Sequence, residues 1–392
     1  MEPRTDAQRR LLATLEPLLP AFAQRSAELD RSGGFFFQNF AALQATGYMA
    51  APLPAESGGG GHGLTDLVYA QRAIARADGS TAYAVGMHLM TAGQEVAAAS
   101  WPPHLRERVF AAIVRDGATI NSVVTEPELG SIQGGGLPSS SFRPDGEGRW
   151  RLNGHKTFST LSPVLSFFLT AASFQDGSGE MGRAIIPRER GGIRVAETWD
   201  ALGLRGTGSH DVYFEDTPVT SDDFLVRHPP GAGGQPQHDF AWFALLVSAA
   251  SLGVAEAARD YAVYFARTRR PTGLGGPIAQ VPYVRHEIGR IDADVITAQA
   301  LLFATAEAWD RANQQDSDAR ARLAPRVATA KLRVTDLAVA IVDRCMRVVG
   351  GVSLQRSEPL ERYYRDVRGP LANPPITPRG LEIIAQAALD DD

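Results

Sequence analysis

The 392-residue sequence contains a single cysteine, Cys345, which excludes an intrachain disulfide and fits a reducing, cytoplasmic setting. Basic residues are not in excess. The formal net charge is −5, so no global cationic surface is expected for nucleic acid or anionic lipid. Metal-ligand spacings are also missing: there is no H-E-x-x-H, paired C-x-x-C or EF-hand loop, and the eight histidines are scattered. No metal site is expected. The absence of a G-x-S-x-G elbow removes the commonest mark of an α/β-hydrolase. The opening stretch MEPRTDAQRRLLATLEPLL interleaves charges with leucines, and no apolar signal-peptide core follows. The longest uncharged apolar run, Phe240 to Ala255, falls short of the roughly 20 residues of a membrane span. It reads as a buried helix of a bundle, and no membrane association is expected.

What is present is ordinary for a globular chain, with 44% hydrophobic and 21% charged residues. The length suggests two or three structural units. Residues 1–118 read as helical: in Leu64 to Ala77 and Leu105 to Val114 apolar residues recur at three- and four-residue spacing. Residues 119–234 change texture. Short runs such as TINSVV, RWRLNGHKTF, LSFFLTAASF, GRAIIP and DVYFEDTPV alternate with Gly-, Asn- and Asp-rich turns, which predicts a small barrel or sandwich. A Pro- and Gly-rich segment, Pro229 to Gln237, then leads into residues 235–392. There Ile288, Ile291, Val295, Ala298, Leu301 and Leu302 share one helix face, and a further helix is expected from about Val327 to Val349.

Two glycine-bearing stretches invite a ligand reading. Gly58 to Gly63 contains G-x-G-x-x-G, but Pro52 and Pro54 spoil the preceding strand that a dinucleotide fingerprint requires. A loop before a helix is the better account. The segment Val123 to Ser131, VVTEPELGS, places small hydroxyl residues and a glycine around a proline-fixed turn. Such a turn can present backbone N–H groups to an anion or carbonyl.

That segment resembles the T-E-P-x-x-G-S signature of the acyl-CoA dehydrogenase family, and further matches follow in the family's order. Leu152 to Thr160, LNGHKTFST, looks like the strand lying along the isoalloxazine ring. Leu202 to Ser209 and Phe214 to Val219 are similar to the G-x-R-x-(S/T) and F-x-D-x-x-V segments. Arg267 to Arg270 with Gly276 to Gln280, and Arg347 to Gly351 with Tyr364 to Asp366, complete the series. The resemblance implies an α+β multi-domain fold: an N-terminal α-helical domain, a middle β-barrel domain and a C-terminal four-helix bundle. It implies a flavin, FAD with FMN as the alternative. Thr125 would bond the ring, and Gly130 and Ser131 would approach the pyrophosphate or substrate. Phe158, Ser159 and Thr160 would cover the ring and contact its polar edge. Arg269 would reach the diphosphate bound in a neighbouring subunit, and Arg347, Gly350 and Gly351 would border the adenosine half. A homodimer or homotetramer follows from the cross-subunit contact.

The departures bear on chemistry. Acyl-thioester desaturation needs a carboxylate to remove the α-proton. Counting on from Arg365-Asp366, Asn373 or Pro374 stands where the family's glutamate is expected, and Phe243 occupies the alternative position. His88 is the remaining catalytic candidate, since imidazole can act as acid or base, and a buried, hydrogen-bonded structural histidine is the stronger of its two readings. Asp239, Glu256 and Glu126 are weaker substitutes. Arg347 and Ser353 stand where the family has Gln and Gly. The first expectation is an oxidoreductase desaturating an acyl thioester and passing electrons to an electron-transfer flavoprotein. The alternatives are a reduced-flavin monooxygenase acting on a small molecule and served by a flavin reductase, and a non-catalytic flavin- or thioester-binding homologue.

Overall fold

The computed structural model describes residues 2–128, 137–229, 240–313 and 317–390. Gly130, Ser131 and Asp239 lie outside the described residues, as does most of the Pro229 to Gln237 segment.

Six helices open the chain: α1 (Asp6–Leu15), α2 (Leu19–Ser32), α3 (Phe37–Ala45), α4 (Leu64–Ala77), α5 (Gly79–Ala98) and α6 (Pro103–Asp116). Thr5 starts α1 through a reciprocal capping box with Gln8, which satisfies two backbone donors. α4 spans the residues its periodicity predicts. Its N-cap is Gly63, which has no side chain to offer. The cap comes instead from Asp310, which accepts from the Leu64 and Thr65 amides at 3.0 and 2.8 Å. In α5 Asp78 performs the same service locally, accepting from the Thr81 amide at 3.1 Å. The glycine-rich stretch before α4 is a loop whose amides are engaged: Gly58, Gly59, Gly60 and Gly61 donate to Ala55, Pro54, Ala50 and Leu53 carbonyls. No phosphate cradle is left there.

Eight strands follow: β1 (Ile120–Ser122), β2 (Ser141–Pro144), β3 (Arg149–Ser159), β4 (Phe167–Phe174), β5 (Met181–Pro187), β6 (Ile193–Ala196), β7 (His210–Thr220) and β8 (Phe224–His228). They form one sheet in the order β6-β7-β3-β2-β4-β5-β8, with β1 added parallel to β4. Among the described residues β6 and β8 do not pair. Phe142, Trp150, Phe174 and Phe224 form an aromatic cluster with tilted and edge-to-face ring contacts.

The C-terminal helices are α7 (Ala241–Thr268), α8 (Pro282–Asn313), α9 (Ser317–Ala321), α10 (Ala324–Val349), α11 (Pro359–Asp366) and α12 (Thr377–Leu389). α10 packs on α7, α8 and α12 to make the bundle, and α4 packs across α7. By length and composition α7 could cross a membrane, but its apolar window is 94% buried within the protein. It is the bundle core.

The three layers meet at Arg365 and Asp366. The Arg365 guanidinium pairs with Asp30 in the last turn of α2 at 2.5 Å and with Glu361 at 2.8 Å, and it donates to the Leu202 carbonyl at 2.9 Å. Asp366 Oδ1 accepts from the Leu204 amide at 2.6 Å. Gly203 makes this approach possible, because a Cβ there would lie 2.4 Å from the Arg365 carbonyl.

Candidate functional site

The wall of the site is the end of β3. The Thr125 carbonyl accepts from the Thr157 amide at 2.9 Å, which docks the T-E-P turn alongside the strand. Glu126 anchors that turn from below. Its buried carboxylate meets Lys156 Nζ at 2.5 Å and accepts from the Ser139 amide and hydroxyl at 2.7 and 2.6 Å. Burial alone would raise its pKa, but Lys156, Ser139 and Ser140 outweigh burial and bring it to about 2. Glu126 is a clamp, not a base.

A register shift between Lys156 and Ser159 turns the strand end outward. Phe158 adopts φ +53° and its side chain is 65% exposed, unusual for a large apolar residue at a domain junction. Next to it Ser159 is buried, with an Oγ that has no hydrogen-bond partner. Thr160 is buried and shares a hydroxyl chain with Ser209 and Thr207, each link 2.8 Å. Asn121 holds the Thr160 carbonyl at 2.9 Å. An exposed aromatic face beside an orphaned hydroxyl and a fixed hydroxyl chain fits a planar ring with a polar edge.

Asn373 enters from the segment after α11, and the Tyr83 hydroxyl of α5 donates to its Oδ1 at 2.6 Å. Asn373, which with Pro374 counts to the place of the family's glutamate, is thus a neutral amide with a fixed partner. Phe243 lies on the first turn of α7, partly buried.

His88 fits the structural one of its two readings. It is fully buried in α5, where Nε2–H donates to the Met49 carbonyl at 2.9 Å and Nδ1 accepts from the Ile120 amide at 3.1 Å. Burial pushes its pKa down to about 4 against those two bonds. With both nitrogens bonded to backbone, it ties α5 to β1 and has no proton to exchange with a substrate. Glu256 is likewise unavailable: Arg72 Nε meets both of its oxygens at 2.8 Å, and Arg76 and Gln299 take up further lone pairs at 3.1 and 2.8 Å.

Arg269 and Arg347 are exposed. Gly350 has φ +74°, and a Cβ at Gly350 or Gly351 would meet nothing within 4 Å, so the backbone there is open to close approach. A hydrogen bond from Tyr261 to Glu358 ties the later turns of α7 to the segment beyond this pair. Among the described residues no hydrogen bond joins this group to Thr125, Phe158, Ser159 or Thr160. Sequence reading missed Tyr83, Trp199 and His210. Trp199 sets its ring edge-to-face with Phe158 at 5.9 Å, and its amide donates to His210 Nδ1 at 3.0 Å.

Helical, β and helical layers with a β3 wall at their junction define a three-domain flavin-enzyme architecture. Residues 5–113, 121–217 and 245–369 match the N-terminal, middle and C-terminal domains of acyl-CoA dehydrogenase. The chain belongs to the acyl-CoA dehydrogenase superfamily of flavin-dependent oxidoreductases. It is 36% identical to YdbM of Bacillus subtilis (strain 168), provisionally named an acyl-CoA dehydrogenase, over 99% of this chain and 98% of that one. It is 31% identical to L-evernosamine nitrososynthase from a Micromonospora species, over 93% and 86% of the two chains. Among solved structures it matches KijD3 in complex with FMN and dTDP-3-amino-2,3,6-trideoxy-4-keto-3-methyl-D-glucose. The TM-score is 0.87 at 30% identity, covering 100% of this chain and 95% of that one.

Proposed function

We propose that this protein is a reduced-flavin monooxygenase that oxygenates a small-molecule substrate, with FMN supplied in reduced form by a separate flavin reductase. The observation that supports the reading is the Tyr83–Asn373 hydrogen bond of 2.6 Å, since Asn373, with Pro374 one of the two residues that counting puts where the family's glutamate is expected, offers only a neutral amide. Glu126 and Glu256, the other described carboxylates considered for that role, are both clamped. An oxygenase has no need of a carboxylate beside a substrate α-carbon. The likeness to a nitrososynthase and to KijD3 supports the same chemistry.

Thr125, Phe158, Ser159 and Thr160 would hold the flavin ring. Bound there, reduced FMN supplies the two electrons with which one atom of O2 goes to the substrate and the other leaves as water. The protein's own residues would orient and shield: Phe158 would cover the ring, Ser159 would offer its free hydroxyl, and the Thr160–Ser209–Thr207 chain would face the polar edge. Association into a homodimer or homotetramer would bring Arg269 to a neighbouring subunit.

The alternative of acyl-thioester desaturation is favoured by the 36% identity to YdbM. A panel of acyl thioesters added anaerobically to the flavin-loaded protein separates the two. No bleaching of the flavin, together with substrate-dependent oxygen consumption when reduced FMN is supplied, is the expected result. Rapid anaerobic bleaching by a thioester overturns it.

A further inference from the structure

The aromatic wall of the site does not stand by itself. Phe158 projects from a strand end at φ +53°, largely exposed, so core packing does not hold its ring. Among the described residues Trp199 is the one aromatic ring in contact with it, at 5.9 Å and 75°. Trp199 is in turn held at two points. Its indole Nε1–H donates to the Leu204 carbonyl at 3.1 Å, and its amide donates to His210 Nδ1 at 3.0 Å. Each anchor is itself fixed. Leu204 stands at φ +53° with its amide on Asp366, and His210 lies opposite Ser159 in the β3–β7 ladder. Because a backbone amide can only donate, Nδ1 of His210 must accept, which places its proton on Nε2. Burial lowers the pKa of His210, with Glu197 and Asp211 opposing, so the accepting form is the resting one.

We propose that Trp199 is a positioning residue for the flavin ring: it sets the tilt of Phe158 and relays to it the geometry of the Asp366–Leu204 contact from the C-terminal layer. The assignment rests on the flavin reading above. Edge-to-face aromatic pairs contribute enough beyond burial that losing one loosens a wall without unfolding a domain. With the indole gone, Phe158 is left with no ring partner and samples several orientations over the flavin face.

The test uses the full chain and FMN, with affinity read from quenching of flavin fluorescence and geometry from the visible circular dichroism of the bound ring. Trp199→Leu is expected to weaken FMN binding about fivefold and to reduce the visible dichroism, with the apoprotein still folded by far-ultraviolet dichroism. Phe158→Leu should do the same. Adding Trp199→Leu to Phe158→Leu should then cost less than a further twofold, because the contact is already absent. A full fivefold loss in that background overturns the proposal, since Trp199 would then act independently of Phe158. Should Trp199→Leu not fold, Trp199→Phe keeps a ring and drops the N–H to Leu204. A changed dichroism band with affinity within twofold supports the proposal, and an unchanged band and affinity overturn it. A wild-type protein that takes up no FMN defeats the flavin reading itself. Wild-type binding with an indistinguishable Trp199→Leu variant defeats only the Trp199 assignment.

Discussion

The Tyr83 hydroxyl and the Asn373 side chain are joined at 2.6 Å although 290 residues separate them in sequence. Burial raises the Tyr83 pKa, so the phenol stays a neutral donor to Asn373. Tyr83→Phe should destabilise the fold by about 1 kcal/mol, the usual net worth of one neutral hydrogen bond, because half-buried Asn373 can turn to water instead. Urea midpoints of the two proteins measure this. A loss several times larger would mean that Asn373 is far less accessible to water than its position suggests.

His88 makes stability depend on acid. Its folded pKa, about 4, lies below the unfolded value of about 6.5, so the unfolded chain takes up the proton first. The stabilisation is complete above pH 6.5 and is lost as pH falls towards 4. The advantage of wild type over His88→Gln should shrink by about 2 kcal/mol between pH 7.5 and pH 5. Equal denaturant midpoints shifts in both proteins over that range would contradict the buried, neutral imidazole.

Asp366 has the opposite sign. Burial chiefly, against the Leu204 amide and Arg362, raises its pKa to about 7. Between roughly pH 4 and pH 7 the folded protein holds a proton that the unfolded chain has released, so stability falls as pH rises through that window. Asp366→Asn keeps an acceptor for Leu204 and removes the buried charge. It should gain on wild type by several kcal/mol from pH 4 to pH 8, roughly up to 4. Since His88 and Asp366 tilt the acid branch in opposite directions, the wild-type profile alone hides both, and only the two variants reveal them.

Lys156→Met should cost about 3–5 kcal/mol, because it leaves the Glu126 carboxylate buried without its cation. Glu126 is 1% exposed, so solvent cannot screen the orphaned charge. Double replacement by Lys156→Met with Glu126→Leu should recover part of the loss, and thermal unfolding of the set checks it.

Much of the architecture was legible because it repeats locally. α4 and the five named strand-forming runs carry their own periodicity, whereas the apolar run read as a bundle helix grew into the 28-residue α7, which only its burial separates from a membrane span. Strands β2, β6 and β8 escaped notice: they are four or five residues long, and β2 ends in a proline. In the site, the β3 motif was visible as a pattern, whereas Tyr83–Asn373 and Trp199–Phe158 join residues that no spacing relates. His88 could be named from the sequence with two readings, catalytic or structural, because imidazole chemistry is legible there and burial is not.

The cap on α4 has a consequence for how the chain is made. The amides that open α4 wait for a carboxylate 245 residues downstream of Thr65. While the ribosome is still translating the β-layer, α4 begins with frayed amides and a glycine that cannot cover them. The first helical layer is therefore completed only when α8 has emerged. A nascent chain halted before Asp310 would carry an amino-terminal layer that is formed but not locked.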